Sequence, residues 1–177
     1  MSSVGFSILA LSGSLRAASI NSAFCRTVAR LAPPAIRVSV HEGLGDLPLF
    51  NPDIEPDPPL VVARFRSSVS DAQAILIASP EYAHGISGVL KNALDWLVSF
   101  EGAVGKRVAL VNTSPRAHHA YDSLAEVLRT MSMEIVPGAS LAIPLRGYLR
   151  TTDEMTESPE VQAAVRAICE ALSAGSR

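Results

Sequence analysis

Short runs of apolar residues recur along the chain, and stretches with helical spacing separate them. A continuous apolar run that ends at turn-forming residues is typical of a strand buried on both faces. Apolar residues that recur every three to four positions predict an amphipathic helix. The runs predict strands over residues 4–12, 36–40, 74–78, 108–111 and within 134–143, and the spacing predicts helices over residues 20–31, 60–70, 89–100, 122–131 and 159–172.

Strand and helix therefore alternate five times, which predicts an α/β fold with three layers, in which helices cover both faces of a doubly wound parallel sheet. Five strands favour the order 2-1-3-4-5 over the six-stranded dinucleotide-binding order. The sequence contains no internal repeat, low-complexity tract or linker that would divide it. We therefore expect residues 1–177 to form a single domain.

Composition narrows the possible partners and compartment. The net charge of −2 gives no general attraction to nucleic acid or to an anionic membrane surface. No positively charged segment precedes residues 4–12, and no apolar stretch is long enough to span a bilayer. Cys25 and Cys169 both fall within helical apolar patterns and are expected to be reduced core residues. These features favour a cytoplasmic protein.

Ligands of open α/β sheets bind at the carboxyl ends of the strands, near the point where the strand order reverses. In the order 2-1-3-4-5, this rule brings together the loops that follow the first, third and fourth strands. We call them loop 1 (residues 13–21), loop 2 (residues 79–88) and loop 3 (residues 113–120).

Loop 1 carries the features of an anion site. It leads from a buried strand into a helix, whose first backbone amides and positive dipole end attract negative charge. Ser14 and Ser19 add hydroxyl groups, Asn21 adds an amide, and Arg16 adds a guanidinium group. Because both dinucleotide-type and P-loop glycine spacings are absent, a terminal phosphate monoester is the favoured ligand. The alternative is that Ser19 or Asn21 only caps the helix and Arg16 is solvated.

Loop 1, loop 2 and the helix after loop 2 together resemble the motifs of a known family. Loop 1 matches the pattern G-S-x-R-x-x-S-x-N, and residues 80–96 approximate P-E-Y-N-x-x-x-P-G-x-L-K-N-A-x-D-W. In both motifs, and over most of residues 4–144, the chain resembles the NAD(P)H-dependent FMN reductases. These are flavodoxin-like proteins that include quinone, chromate and azo-dye reductases.

The resemblance implies a cofactor, a reaction and a set of contacts. It implies bound FMN that takes electrons from NADPH or NADH and passes them to a small acceptor such as a quinone, flavin, chromate or azo compound. It also implies a homodimer or homotetramer, which an apolar stripe along the helix of residues 89–100 would permit. The implied phosphate ligands are Ser14, Arg16, Ser19 and Asn21, and the implied contacts of the flavin ring are Pro80, Glu81, Tyr82 and Ser114, with the rest of residues 113–116 nearby.

Three positions depart from the family pattern. Ala83 replaces the usual Asn, Ser87 replaces the usual Pro, and loop 3 has residues 116–119 where many members carry a glycine pair. These departures bear on flavin affinity and not on the fold. If flavin binds without nicotinamide-dependent reduction, the alternative is a non-enzymatic electron carrier or redox sensor.

Other catalytic chemistries find less support. His84, His118 and His119 suggest a metal, but the side chains of adjacent histidines are expected to diverge, and no zinc-type spacing is present. The nucleophile elbow G-x-S-x-G is missing its last glycine, which disfavours a hydrolase. Glu81 and Asp95 could serve a flavin-free transferase, but Asp95 falls inside a helix, where we expect it to form a structural hydrogen bond or an ion pair. With the chemistry carried by the flavin, no catalytic side chain is assigned.

Overall fold

The computed structural model describes residues 5–114, 118–143, 145 and 150–174. Its main sheet contains five parallel strands in the spatial order β2-β1-β3-β6-β7, which is the predicted 2-1-3-4-5 arrangement. A separate antiparallel hairpin, β4–β5, lies within loop 2. The strands are β1 (Phe6–Ser12), β2 (Ile36–His41), β3 (Ala74–Ala78), β4 (Glu81–Tyr82), β5 (Gly85–Ile86), β6 (Arg107–Val111) and β7 (Glu134–Ile135).

Helices cover both faces of the sheet and form the outer layers. They are α1 (Ile20–Leu31), α2 (Leu60–Asp71), α3 (Gly88–Asp95), α4 (His118–Thr130), α5 (Thr152–Glu157) and α6 (Pro159–Ser173), with short 3-10 turns at Leu44–Asp46, Pro52–Ile54 and Glu101–Ala103.

Alternate residues of the central strands enter two separate apolar cores. In β1, Leu9 and Leu11 pack with residues of α2, α3 and α4, whereas Ile8 and Ala10 pack with residues of α1, α5 and α6. This alternation follows from the pleat of a strand, which points successive side chains to opposite faces. The three-layer α/β fold predicted from the pattern is therefore confirmed.

Helix α3 is shorter than predicted. It ends at Asp95 and not near residue 100, because the amides of Leu97 and Val98 bond to carbonyls three residues back and tighten the chain into turns. The apolar spacing nevertheless continues, and Leu97 is buried. The predicted stripe thus packs into the chain's own core. Val98, which is 61% exposed, is its exception.

Three further differences concern α4, the fifth strand and α5. Helix α4 begins at His118, four residues before the predicted start, because a residue distant in sequence supplies its cap. The fifth strand is brief, and pairing with β6 resumes at the bridge between Asn112 and Ala142. Helix α5 was not predicted, because six residues are too few to show a period.

The cysteines lie where the sequence predicted. Cys25 and Cys169 are free and buried, and burial raises the pKa of Cys25 to about 12 and that of Cys169 to about 11. Trp96 is fully buried in the core. Within the described residues, no helix combines the length and the apolar character needed to cross a membrane.

Candidate functional site

A crevice follows the carboxyl ends of β1, β3 and β6, as the strand order predicts. It contains a larger cavity of about 700 Å³ and a smaller cavity of about 280 Å³, and both are lined by Ile20, Asn21 and Pro80. Each of the eight predicted site residues lines at least one of them. Ser14, Arg16, Ser19 and Tyr82 line the larger cavity, Glu81 and Ser114 line the smaller one, and Asn21 and Pro80 line both.

Loops 1 and 2 approach each other closely at Gly13. The Gly13 amide bonds to the carbonyl of Ala78 at 2.9 Å, which continues the pairing of β1 with β3. A Cβ atom at position 13 would overlap the Ser79 side chain and lie 2.9 Å from the Ser87 Oγ. Glycine is therefore required here for close approach.

The start of α1 is built to receive an anion. Ser19 is its N-cap, and its Oγ accepts a hydrogen bond from the Ser22 amide at 3.2 Å. The hydroxyl hydrogen of Ser19 remains able to donate into the larger cavity. The first amides of α1, at Ile20 and Asn21, have no carbonyl within the helix to bond. Capping and anion binding are thus compatible roles for Ser19.

Arg16 supplies the positive charge of loop 1. The residue is exposed, and its guanidinium group has no hydrogen-bond or ion-pair partner among the described residues. Its backbone amide donates to the Ser14 Oγ at 3.4 Å. A forked, permanently charged donor without a protein partner is available to an oxyanion.

Asn21 connects loops 1 and 3. It is buried, and its Oδ1 accepts a hydrogen bond from the Thr113 Oγ1 at 2.7 Å. This bond uses the amide oxygen and leaves the amide nitrogen as the group that can face a ligand. The predicted contact of Asn21 with a phosphate remains a prediction.

Loop 2 is folded into the β4–β5 hairpin. Ala83 and His84 occupy its tip with φ values of 49° and 58°, the combination of a type I′ turn. Asparagine tolerates this left-handed conformation better than alanine does. The departure at Ala83 therefore places a less suitable residue at a strained position.

The hairpin is fixed to the start of α4. The Glu81 Oε2 accepts a hydrogen bond from the Ala120 amide at 2.8 Å and supplies the cap that the local sequence of α4 does not show. The rings of His84 and His119 are 4.4 Å apart, centroid to centroid, and those of His118 and His119 are 4.1 Å apart. The expectation that the adjacent histidine rings diverge is therefore wrong. Among the described residues, no group of three or more His, Cys, Asp or Glu side chains is placed to hold a metal ion.

Residues 113 and 114 of loop 3 are described, as are residues 118–120, which begin α4. The Ser114 amide donates a hydrogen bond to the Asn112 Oδ1 at 3.0 Å. Thr113 is buried against Asn21 and forms part of the smaller cavity. The predicted contributions of Pro115 and Arg116 lie outside the described residues.

Burial shifts the pKa of two titratable groups near the crevice in the direction that favours their neutral forms. Desolvation raises the pKa of Tyr121 on α4, and the neighbouring Asp122 adds to this effect. Desolvation lowers the pKa of His41 at the end of β2, against a smaller opposing effect of Asp46. The His41 ring packs on Phe65, and its buried Nε2 has no hydrogen-bond partner among the residues that the structure describes.

The sequence analysis missed one wall of the larger cavity. Arg26 of α1 and the segment from Arg150 to Asp153 also line it. Arg26 lies one turn beyond the loop 1 motif, and periodicity alone does not distinguish it from a solvated helix residue. Residues 150–153 begin a helix too short to show a pattern, so their position depends on tertiary packing.

Comparison with known proteins decides the family. The sequence model described as NADPH-dependent FMN reductase matches residues 6–147. The chain belongs to this family. Membership supports FMN as the cofactor, NAD(P)H as the electron donor and an oxidoreductase activity.

Relatives of this FMN reductase family member include two quinone reductases and one solved flavoenzyme. The Pseudomonas putida quinone reductase is 40% identical over 116 residues, covering 63% of this chain and 62% of that protein. The Escherichia coli quinone reductase is 29% identical over 163 residues, covering 89% and 77%. The chain thus spans less than two thirds of the length of the P. putida relative. A flavoenzyme NAD(P)H:(acceptor) oxidoreductase from Paracoccus denitrificans has 26% identity and a TM-score of 0.73, covering 96% of this chain and 98% of that one.

The residues of this FMN reductase family member fit the cofactor. The larger cavity offers hydroxyl, amide and guanidinium donors, which are the groups that bind a phosphate monoester. The smaller cavity offers the apolar walls of Ile20 and Pro80 together with polar groups of loop 3. A planar heterocycle with polar edges needs both features.

Proposed function

We propose that this protein is an FMN-dependent reductase that takes electrons from NADPH or NADH and delivers them to a small acceptor, with quinones as the leading class. One observation carries the proposal. All eight residues of the predicted flavin site line two adjacent cavities at the carboxyl edge of the sheet, where Arg16 and the first amides of α1 have no partner within the described part of the chain.

We assign the larger cavity to the phosphate and the smaller cavity to the flavin ring. Ser14, Arg16 and Ser19 hold the phosphate with two hydroxyl groups and one guanidinium, aided by the α1 dipole. Asn21 lies between the two cavities, at the junction where the ribityl chain would pass.

The residues around the ring position it and shield it. The bound flavin would supply the hydride chemistry, so the protein's part is placement and electrostatics. Ile20, Pro80 and Glu81 form walls of the smaller cavity. The Glu81 carboxylate is engaged by the α4 amide at Ala120, and its role is therefore to hold the hairpin in place. Tyr82 is 53% exposed and lines the larger cavity.

The acceptor class is proposed from the relatives and the site together. Two of the relatives are named quinone reductases. A quinone is planar and suits stacking on the exposed face of a flavin ring. The single domain of residues 1–177, the cytoplasmic location and the homodimer or homotetramer remain predictions from the sequence.

The phosphate assignment is tested with Arg16→Ala. Loss of a charge-assisted hydrogen bond is expected to raise the FMN dissociation constant about tenfold to a hundredfold. The difference from wild type is expected to shrink at high salt, because the residue is exposed. Flavin fluorescence quenching measures both effects.

Arg64→Ala is the matched control, since Arg64 is an exposed arginine on α2 and lines neither cavity. It is expected to bind FMN as wild type does. Unchanged FMN affinity in Arg16→Ala would show that the phosphate lies elsewhere.

A further inference from the structure

A third cavity, of about 360 Å³, lies between loop 1, loop 2 and the start of α3, and we call it the side cavity. It is lined by Leu15, Tyr82 and Val89, together with the small residues Gly13 and Gly88. A concave, mainly apolar space of this volume is typical of a small-molecule site. The assignment of FMN to the other two cavities does not use it.

The side cavity adjoins both cavities of the flavin site. Arg16 and Tyr82 line the side cavity and the larger cavity alike. Ser79 lines the smaller cavity and Ser87 lines the side cavity, and their hydroxyl oxygens are 3.5 Å apart. A ligand whose ring lies on the flavin is therefore close enough to extend a substituent into the side cavity.

Leu15 gives the side cavity an apolar surface that the chain leaves uncovered. The residue is 67% exposed. Gly45 supports it from one direction, since a Cβ atom at position 45 would lie 2.9 Å from the Leu15 Cδ2. Exposed apolar surface beside a ligand site is a sign of binding, because an apolar group that covers it is favourably removed from water.

The charge of the side cavity favours a neutral ligand group once FMN is bound. Arg16 is the one charged side chain among the described residues that line it. The proposed function pairs Arg16 with the FMN phosphate, so little net charge then remains. Ser87 is buried, and its hydroxyl forms no cap on α3 but contacts that of Ser79. An apolar, uncharged group fits these walls better than a second phosphate does.

We propose that the side cavity binds the alkyl side chain of a substituted quinone whose ring lies at the flavin. The protein then prefers quinones with an apolar side chain to quinones without one. This inference rests on the proposed function, because it specifies the class of the same acceptor. Leu15 is a specificity-determining residue in this account, since it contacts the alkyl chain and not the reacting ring.

The test compares kcat/KM of the FMN-loaded protein for benzoquinones that carry a methyl, a propyl or a pentyl group, with NADPH as the donor. The methyl compound is the reference, because it has the electronic effect of an alkyl group without its length. Each further methylene that enters the side cavity is expected to raise kcat/KM about twofold to fourfold. Calorimetry with the oxidised holoprotein gives a second readout, since burial of the chain makes the heat-capacity change of binding more negative.

Leu15→Ser removes the apolar surface of the side cavity. It is expected to lower kcat/KM for the pentyl quinone about tenfold and to leave that for the methyl quinone unchanged. Leu60→Ser is the matched control, since Leu60 on α2 is 66% exposed and does not line the side cavity. The control is expected to behave as wild type with both quinones.

Gly88→Val tests the same cavity by filling it, and it replaces Leu15→Ser if that variant is unfolded. A Cβ atom at position 88 would meet no atom within 4 Å, so the added side chain is tolerated. Because Gly88 lines the side cavity, valine is expected to narrow it and to reduce the preference for the pentyl quinone.

The outcomes separate this inference from the proposed function. If the methyl quinone is reduced and longer chains bring no gain, the inference fails and the proposed function stands. An equal loss for both quinones in Leu15→Ser would also overturn it, as would a raised KM for NADPH alone, which would assign the side cavity to the nucleotide. A changed oligomeric state of that variant in size-exclusion chromatography would assign Leu15 to a contact between copies of the chain and overturn it too. If wild type reduces no quinone, the proposed acceptor and this inference fail together.

Discussion

Two polar regions border the carboxyl edge of the sheet, and they use similar residues for opposite purposes. One is loop 1 with the start of α1. The other is the connection of residues 47–55 where it packs on α3. There, the Asn92 Oδ1 accepts from the Phe50 amide at 2.8 Å, its Nδ2 donates to the Pro48 carbonyl at 3.0 Å, and the Trp96 Nε1 donates to that same carbonyl at 2.8 Å.

The two arginines show the contrast most clearly. Arg66 donates to the Trp96 carbonyl and to Glu55, both at 2.9 Å, and lies over the Trp96 ring. Arg16 has no such side-chain partner among the described residues. Polar groups that bond to one another stabilise a fold, whereas polar groups left open at a cavity are available to a ligand. The residue types alone do not separate the two cases.

The largest expected effect is a loss of stability when the contacts between residues 47–55 and α3 are removed. Asn92→Ala removes partners of a backbone amide and a carbonyl that are partly buried, so it is expected to lower the free energy of unfolding by about 1–3 kcal/mol. Urea denaturation measures the loss. FMN affinity of the folded variant is expected to stay unchanged, because Asn92 lines neither cavity.

Lys91→Ala is the neighbouring control. It removes an exposed ion pair with Asp95 and is expected to cost about 0.3–0.5 kcal/mol. If Asn92→Ala weakened FMN binding and left stability intact, the division between the two regions would be wrong.

Ser19 both caps α1 and offers a hydroxyl group to the larger cavity, and two variants separate these roles. Ser19→Ala loses the cap and the cavity hydroxyl, so it is expected to lower stability by about 1 kcal/mol and to weaken FMN binding. Ser19→Gly is expected to lower stability by only about 0.3 kcal/mol, because glycine is accepted at an N-cap.

Both variants are expected to weaken FMN binding by roughly threefold to tenfold, since both lack the hydroxyl. Thermal unfolding and fluorescence titration provide the two measurements. Wild-type FMN affinity in Ser19→Gly would restrict Ser19 to capping.

The smallest effect concerns the start of α5 and depends on pH. Hydrogen bonds from the Arg150 and Thr151 amides, and then from the Thr151 hydroxyl, lower the pKa of Glu154. A carboxyl group whose pKa is lower in the folded state stabilises that state above its unfolded pKa, and the benefit disappears as the pH falls through the folded pKa.

Glu154→Gln is therefore expected to lower the melting temperature slightly at pH 7, with the difference from wild type shrinking as the pH falls below about 4. Glutamine can still complete a capping box, so the helix is retained. A difference that stayed constant from pH 7 to pH 3 would contradict this account.

Much of the architecture could be predicted from the sequence. Helix α1 begins and ends at the predicted residues, and β3 does as well, because buried apolar runs and a serine cap are local signals. The hairpin was not predicted. Its turn residues, Ala83 and His84, are not the Asn-Gly or Asp-Gly pair that marks such a turn in a sequence, and the contact of Glu81 with α4 comes from a distant part of the chain.

The part of the candidate site that lies in loop 1 could be predicted, because it too depends on residues close together in the chain. Ser14, Arg16 and Ser19 occur within one short motif, and a motif fixes the distance between its members. Arg150 lies more than a hundred residues from that motif and reaches the same cavity because α5 packs beside α1.

The sequence by itself determined the order of strands and helices, the buried strands and the cap of α1, since each depends on residues close together in the chain. Only the tertiary structure decided which polar groups remain open at the crevice, where α4 begins and which distant residues line the larger cavity. A hydrogen-bond donor is available or engaged according to its neighbours in space, and those neighbours come from distant parts of the chain.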